Sequence, residues 1–149
     1  MIDINASDSR KTRGLEVLIV EDDDLFRALV RSIFEHERWF VREAIHGRHA
    51  LDVLRAGAKP DLILTDLNMP ELDGISFIEE LPTVKGLDNT IVVVCTTLEL
   101  KPEEQSRIGY RAHILIRKGQ FTPLALATEL RNIAAAVTSI RSAQSTPSQ

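Results

Sequence analysis

The sequence predicts an α/β fold: a doubly wound, five-stranded parallel sheet of strand order 2-1-3-4-5 with helices on both faces. Three observations carry that prediction. Val17-Leu18-Ile19-Val20, Leu62-Ile63-Leu64-Thr65 and Ile91-Val92-Val93-Val94 are short apolar runs without alternation, the pattern of strands buried on both faces. Between the runs lie stretches whose apolar residues recur at three- and four-residue steps, the pattern of amphipathic helices. Strand and helix alternate strictly, five of each, which argues for parallel βαβ units whose right-handed crossovers leave few topologies.

Residues 1–13 are polar and without apolar period, so a loose arm is expected there, followed by a single domain over 14–141. Strand one ends in four acids, Glu21 to Asp24, and Leu25, Phe26, Leu29, Val30, Ile33 and Phe34 mark the first helix. Trp39-Phe40-Val41 is a short second strand. His46-Gly47 opens a second helix with Ala50, Leu51 and Leu54 inward, stopped by Gly57 and Pro60. The third strand leads into Asp66-Leu67-Asn68-Met69-Pro70, and Ile75, Ile78 and Leu81 form a third helix that Pro82 ends. The fourth strand runs out at Thr96-Thr97. Pro102, Glu103 and Glu104 suit the start of a fourth helix, but Ile108 is nearly its only large apolar residue, so it should be loosely held. Ile114-Leu115-Ile116 is the fifth strand. In the last helix Thr122 caps, Pro123 fits the first turn and Phe121 staples onto Leu126; residues 142–149 read as a flexible tail.

At 149 residues, with 44% apolar and 27% charged residues, the chain suits one soluble domain with a sizeable core. A formal charge of −4 argues against a nucleic-acid partner. No apolar segment approaches the roughly 20 residues that span a bilayer, and the expected location is cytoplasmic, away from membranes. Cys95, the single cysteine, lies in an apolar run and reads as core.

In a parallel sheet all strand carboxyl ends share one edge. There the chain places Glu21, Asp22 and Asp23 after strand one, Asp66 after strand three, Thr96 and Thr97 after strand four, and Lys118 after strand five. Carboxylates gathered at about 4 Å repel by roughly 4 kcal/mol per pair at an effective dielectric near 20, so the cluster calls for a cation. Oxygen ligands without His or Cys point to a hard ion, and an open site suits Mg²⁺ better than Ca²⁺. A carboxylate beside Mg²⁺, a lysine and a hydroxyl is equipped for phosphoryl transfer, with Asp66 as nucleophile.

These residues resemble the receiver domain of two-component response regulators, a flavodoxin-like fold. The likeness covers about Leu15 to Val137. It rests on Glu21-Asp22-Asp23, on Thr65-Asp66-Leu67-Asn68-Met69-Pro70 with Asp73-Gly74, on Thr96 and Lys118, and on the spacing among them. The resemblance implies a stand-alone, chemotaxis-regulator-like phosphoacceptor. Asp66 would take a phosphoryl group from a histidine kinase or histidine phosphotransfer protein. Mg²⁺ would be held by Asp22, Asp66 and the backbone carbonyl of Asn68, with Glu21 acting through water. Thr96 and Lys118 would recognise the phosphoryl oxygens. The protein would catalyse only its own phosphorylation and dephosphorylation, and would switch an unknown downstream partner at the face of helix four, strand five and helix five. Three positions depart from the family pattern: Gly119 replaces the usual proline, Leu115 the usual Tyr or Phe, and Thr97 the usual small residue.

Two other readings stand beside this one. One is a docking module that keeps the fold and works without phosphorylation. The other is a phosphohydrolase, against which Asn68 counts, because that class carries a second carboxylate at that place. Taken singly, the acids also suit a helix N-terminus, Asp66 a turn, Thr96 a strand end and Lys118 a solvated surface. His46 and His49 share helical spacing without a third ligand, so no zinc site is expected. His36 and His113 read as partly buried or surface residues, and Trp39 as packing.

Overall fold

The computed structural model describes residues 14–69, 71–97, 99–109 and 111–145. The expected arm at 1–13, Pro70 of the Asp66 loop and the last four residues of the expected tail lie outside them. In chain order the elements are β1 (Glu16–Val20), α1 (Asp24–His36), β2 (Phe40–Ala44), α2 (Gly47–Arg55), β3 (Leu62–Thr65), α3 (Gly74–Glu80), β4 (Ile91–Thr96), α4 (Pro102–Ile108), β5 (Ile114–Arg117) and α5 (Pro123–Ser145). The five strands are all parallel, in the order β2-β1-β3-β4-β5.

Burial explains why β1, β3 and β4 read so clearly: nearly every residue in them is buried on one face or the other. Leu18, Val20, Ile63, Val92 and Val94 point into one core with Leu51, Leu54, Phe77, Ile78 and Ile108. Val17, Ile19, Leu62, Leu64, Val93 and Cys95 point into the other, with Phe34, Trp39, Leu126, Leu130 and Ile133. Helices α2, α3 and α4 thus cover one face of the sheet, and α1 and α5 the other. Trp39 meets Phe34 edge to face at 5.1 Å between centroids, the packing role expected of it.

Three elements differ from expectation. Strand β2 begins after Trp39 and runs to Ala44, taking in Arg42 and Glu43; an edge strand is half solvated, so charge on its outer positions does not end it. Helix α3 stops at Glu80, and Leu81–Thr83 continue as one 3₁₀ turn that tolerates Pro82. Helix α5 continues through Ser145 instead of fraying at Ser142. Arg141 holds that end by donating to the Asn89 carbonyl, with its guanidinium 3.4 Å from Asp61.

Short segments are capped as their sequences suggest. Thr122 Oγ1 accepts from the Ala125 N–H at 3.1 Å, and His46 Nδ1 accepts from the His49 N–H at 3.1 Å. Helix α4 buries only Ile108, as expected, yet a two-pronged ion pair from Arg107 to Glu79, at 2.6 and 3.0 Å, ties it to α3. Among the described residues, no helix is long and apolar enough to cross a membrane.

Candidate functional site

The carboxyl edge of the sheet assembles the site one strand at a time. Past the end of β1, the Glu21 N–H donates to the Ala44 carbonyl at 3.0 Å, extending the ladder by one residue and turning the Glu21 side chain inward, where it is 1% exposed. The Asp66 N–H likewise donates to the Val20 carbonyl at 3.1 Å, so Asp66 prolongs β3. Its side chain is buried, with Oδ1 accepting from the N–H groups of Leu67 (2.6 Å) and Asn68 (3.3 Å). The Thr65 hydroxyl donates to the Asp66 carbonyl at 2.8 Å.

The loop after Asp66 is closed by Gly74, whose N–H donates to the Leu67 carbonyl at 3.0 Å. A Cβ at Gly74 would lie 2.3 Å from the Asp66 carbonyl oxygen and 2.5 Å from the Leu67 Cα, so only glycine lets α3 start against this backbone. Asp73 caps α3 by accepting from the Ser76 N–H at 2.9 Å.

One oxygen each of Glu21, Asp22 and Asp66 lie within 4.8 Å of one another; Glu21 and Asp66 are buried and Asp22 is exposed. Asp23, which the sequence groups with these acids, has a different job. Its carboxylate caps α1, accepting from the N–H groups of Leu25 (3.0 Å) and Phe26 (3.3 Å). For that one residue the plain helix-capping reading is the right one.

Lys118 opens a single 3₁₀ turn after β5, and its Nζ donates to Glu21 Oε1 at 2.9 Å and lies 3.6 Å from Asp66 Oδ2. The same ammonium sits 3.9 Å from the ring centroid of Phe26, a cation–π contact that the sequence did not suggest, although Phe26 lies one helical turn after Asp22. Gly119 adopts no left-handed conformation, and a Cβ there would meet nothing within 4 Å; the Phe121 N–H closes the turn onto the Lys118 carbonyl.

One ammonium therefore meets two buried carboxylates, Glu21 and Asp66, and the charges respond. Burial pushes the Glu21 carboxyl above its ordinary value, and the bond from Lys118 and the Asp23 N–H only partly offset it. Burial pulls the Lys118 ammonium down, but the Glu21 hydrogen bond and the charges of Asp66 and Glu21 outweigh it and hold the lysine above its ordinary value. The two shifts agree: the lysine has anions to spare, whereas Glu21 shares its single cation with Asp66. Cys95, beneath the site, is pushed up to about 12 by burial and stays a thiol.

Thr96 ends β4 at the same edge and is wholly buried, and Thr97 beside it is exposed. Asn68 meets Asp66 through its N–H and has an exposed side chain. Leu115, on β5, is 42% exposed. A donor set made only of oxygens, with negative charge left over after Lys118, fits a hard divalent cation and offers nothing to a soft one. His46 and His49 stay apart from the site, each ring nitrogen Nδ1 accepting a backbone N–H at the start of α2.

Known proteins resemble this chain in sequence and fold. Over 80 residues the chain is 42% identical to protein-glutamate methylesterase/protein-glutamine glutaminase 3 of Paramagnetospirillum magneticum, a match covering 52% of this chain and 22% of that protein. It is 35% identical over 82 residues to sporulation initiation phosphotransferase F of Bacillus subtilis, covering 55% of this chain and 63% of that one. The chain thus spans about a fifth of the methylesterase and under two thirds of the phosphotransferase. Among solved structures, chemotaxis protein CheY4 of Vibrio cholerae superposes with a TM-score of 0.67 at 27% identity, over 80% of this chain and 98% of that one. Residues 17–131, from the second residue of β1 into α5, match the response regulator receiver domain, and the chain belongs to that family.

Proposed function

We propose that this protein is a phosphoacceptor switch of two-component signalling. Asp66 takes a phosphoryl group from the phosphohistidine of a kinase or phosphotransfer protein. The observation that carries this reading is the unequal treatment of the two Asp66 oxygens. Two backbone N–H groups hold Oδ1, while Oδ2 faces the Lys118 ammonium at 3.6 Å. The carboxylate is thereby fixed in orientation, as in-line attack on phosphorus requires, and a cation stands beside its second oxygen to receive the charge of the phosphoryl group.

In the proposed step an Asp66 oxygen forms the new bond to phosphorus as the phosphorus–nitrogen bond of the donor histidine breaks, and the electron pair leaves with the imidazole. Negative charge then sits on three phosphoryl oxygens. Lys118 moves its ammonium from Glu21 toward them, and the Thr96 hydroxyl donates to another. Glu21, Asp22, Asp66 and the Asn68 carbonyl would hold Mg²⁺. When bound, the ion supplies positive charge that offsets the crowding of carboxylates and phosphoryl oxygens. Asn68 offers no second carboxylate for acid–base work, so turnover of outside substrates is not part of this function. Output follows from a change in partner binding at the face of α4, β5 and α5, where Leu115 is exposed and α4 is thinly buried.

Incubation of the purified chain with acetyl phosphate and Mg²⁺ should add one phosphate, labile to base. Asp66→Asn should take none, and EDTA should abolish the reaction in the parent. Equal labelling of Asp66→Asn would remove Asp66 as acceptor. No labelling of the parent would favour a docking module that works without phosphate.

A further inference from the structure

Three carboxylates held within 4.8 Å of one another repel, and the Lys118 ammonium meets two of them, Glu21 and Asp66. A tether on the backbone of the β1–α1 turn would hold Asp22 beside them without using a carboxylate oxygen of the cluster. Arg27, on the first turns of α1, is placed to do so. Its Nη1 donates to the Glu21 backbone carbonyl at 2.9 Å, its Nε to Glu43 Oε1 at 2.7 Å, and its Nη2 to Asp24 Oδ1 at 2.6 Å. The guanidinium thus joins the tip of β1, the start of α1 and the edge strand β2 in one plane. Glu43 is held from its other oxygen by Arg31, which also bonds Glu35 at 2.9 Å, so the anchor on β2 is itself fixed. The Glu21 carbonyl belongs to the peptide that leads directly into Asp22. Fixing it fixes the point from which both acids project, without using a carboxylate oxygen of Glu21 or Asp22.

We infer that Arg27 is a positioning residue for the divalent-cation site, holding the Glu21–Asp22 peptide in a cation-ready place through the Glu21 carbonyl, with Glu43 as its anchor. The inference rests on the metal-dependent reading above. It has a signature opposite to that of charge alone. Arg27 is a cation near an acidic cluster, so removing its charge should, by electrostatics, tighten the binding of Mg²⁺. Removing a tether loosens the site and weakens binding. A lysine at this place keeps the charge, but a single ammonium on a flexible stem does not reproduce three directed bonds to three elements.

The test is calorimetric titration of Mg²⁺ into the full chain, with thermal unfolding of the metal-free protein recorded alongside. Arg27→Met should weaken Mg²⁺ roughly tenfold, as loss of groups that orient metal ligands commonly does. Arg27→Lys should stay close to the Met variant, and Glu43→Gln should weaken Mg²⁺ in the same direction by less. A purely structural role would lower the melting temperature and leave the dissociation constant of the folded protein unchanged, and that result overturns the inference. So does tighter binding by Arg27→Met, or full recovery by Arg27→Lys. If the Met variant does not fold, the Lys and Glu43→Gln variants decide. A parent chain that binds no Mg²⁺ overturns the metal-dependent reading and this inference together, whereas a binding parent with unchanged variants overturns the tether alone.

Discussion

Asp66, Glu21 and Asp22 are chemically near-equivalent carboxylates, and their surroundings separate them. Asp66 is oriented by two backbone amides, Glu21 is tied to Lys118 in a buried position, and Asp22 is left facing water. Thr97 lies exposed at the mouth of the same site, one residue past buried Thr96. On the proposed reading, water attacking an acyl phosphate on Asp66 would approach in line past the end of β4, where Thr97 adds a methyl and a hydroxyl. Replacing Thr97 by Ala should speed dephosphorylation a few-fold, on the order of 1 kcal/mol in the barrier. Loss of phosphate at the parent's rate or slower would show that access here is not the control. The acids, the threonines and the lysine were legible because position at a strand end is a matter of chain order. The ring of Phe26 over Lys118, the capping role of Asp23 and the triple bond set of Arg27 were not. All three depend on where α1 points its side chains, which spacing alone does not reveal.

Elements buried on both faces were the most readable, since β1, β3 and β4 carry unbroken apolar runs. At the edges and ends local pattern weakens, because a distant partner decides. Strand β2 carries Arg42 and Glu43 on opposite faces, where Arg42 pairs with Glu16 of β1 and Glu43 meets α1. The last turns of α5 persist because Arg141 reaches the Asn89 carbonyl and Asp61, just ahead of β4 and β3. Helix α4 combines a single buried apolar residue with an exposed ion pair, Arg107 to Glu79, as its tie to α3. A helix so held should open locally before the rest of the domain. Arg107→Ala should accelerate amide exchange in α4 while leaving β1 and β3 unchanged, read by mass spectrometry of peptic fragments. A phosphoryl mimic at Asp66 should alter exchange in the same helix. Protection changes confined to α1 and α2 would place the moving part elsewhere.

Across the whole molecule, titration of the buried centre has a sign that can be followed. Cys95 ionises near 9.0 in an unfolded chain but only at about 12 in the fold. Its contribution to stability is therefore complete below pH 9 and declines as pH rises toward 12. Lys118, held above its ordinary 10.5, adds a second loss that starts higher, as pH rises through its folded value. Glu21, raised above 4.5, contributes only in acid, so the metal-free fold gains as pH falls through the folded value of that carboxyl. Thermal unfolding between pH 8 and 11 should show stability falling from about pH 9, and Cys95→Ala should flatten that fall up to about 10.5. An unchanged slope in the Ala variant would assign the alkaline limb to other groups.

The bond between Lys118 and Glu21 joins residues 97 apart in sequence. Asp66 stands roughly midway between them, and nothing local to it supplies the ammonium. While a chain is being synthesised, its first three strands already carry the acids, but the lysine arrives only with β5. A polypeptide stalled, cleaved or misregistered before that point holds an aspartate with no counter-cation and two acidic neighbours repelling an incoming phosphate. On the proposed phosphoacceptor reading, competence to receive a phosphoryl group would thus double as proof of complete assembly, and immature copies would stay silent without a separate device to exclude them.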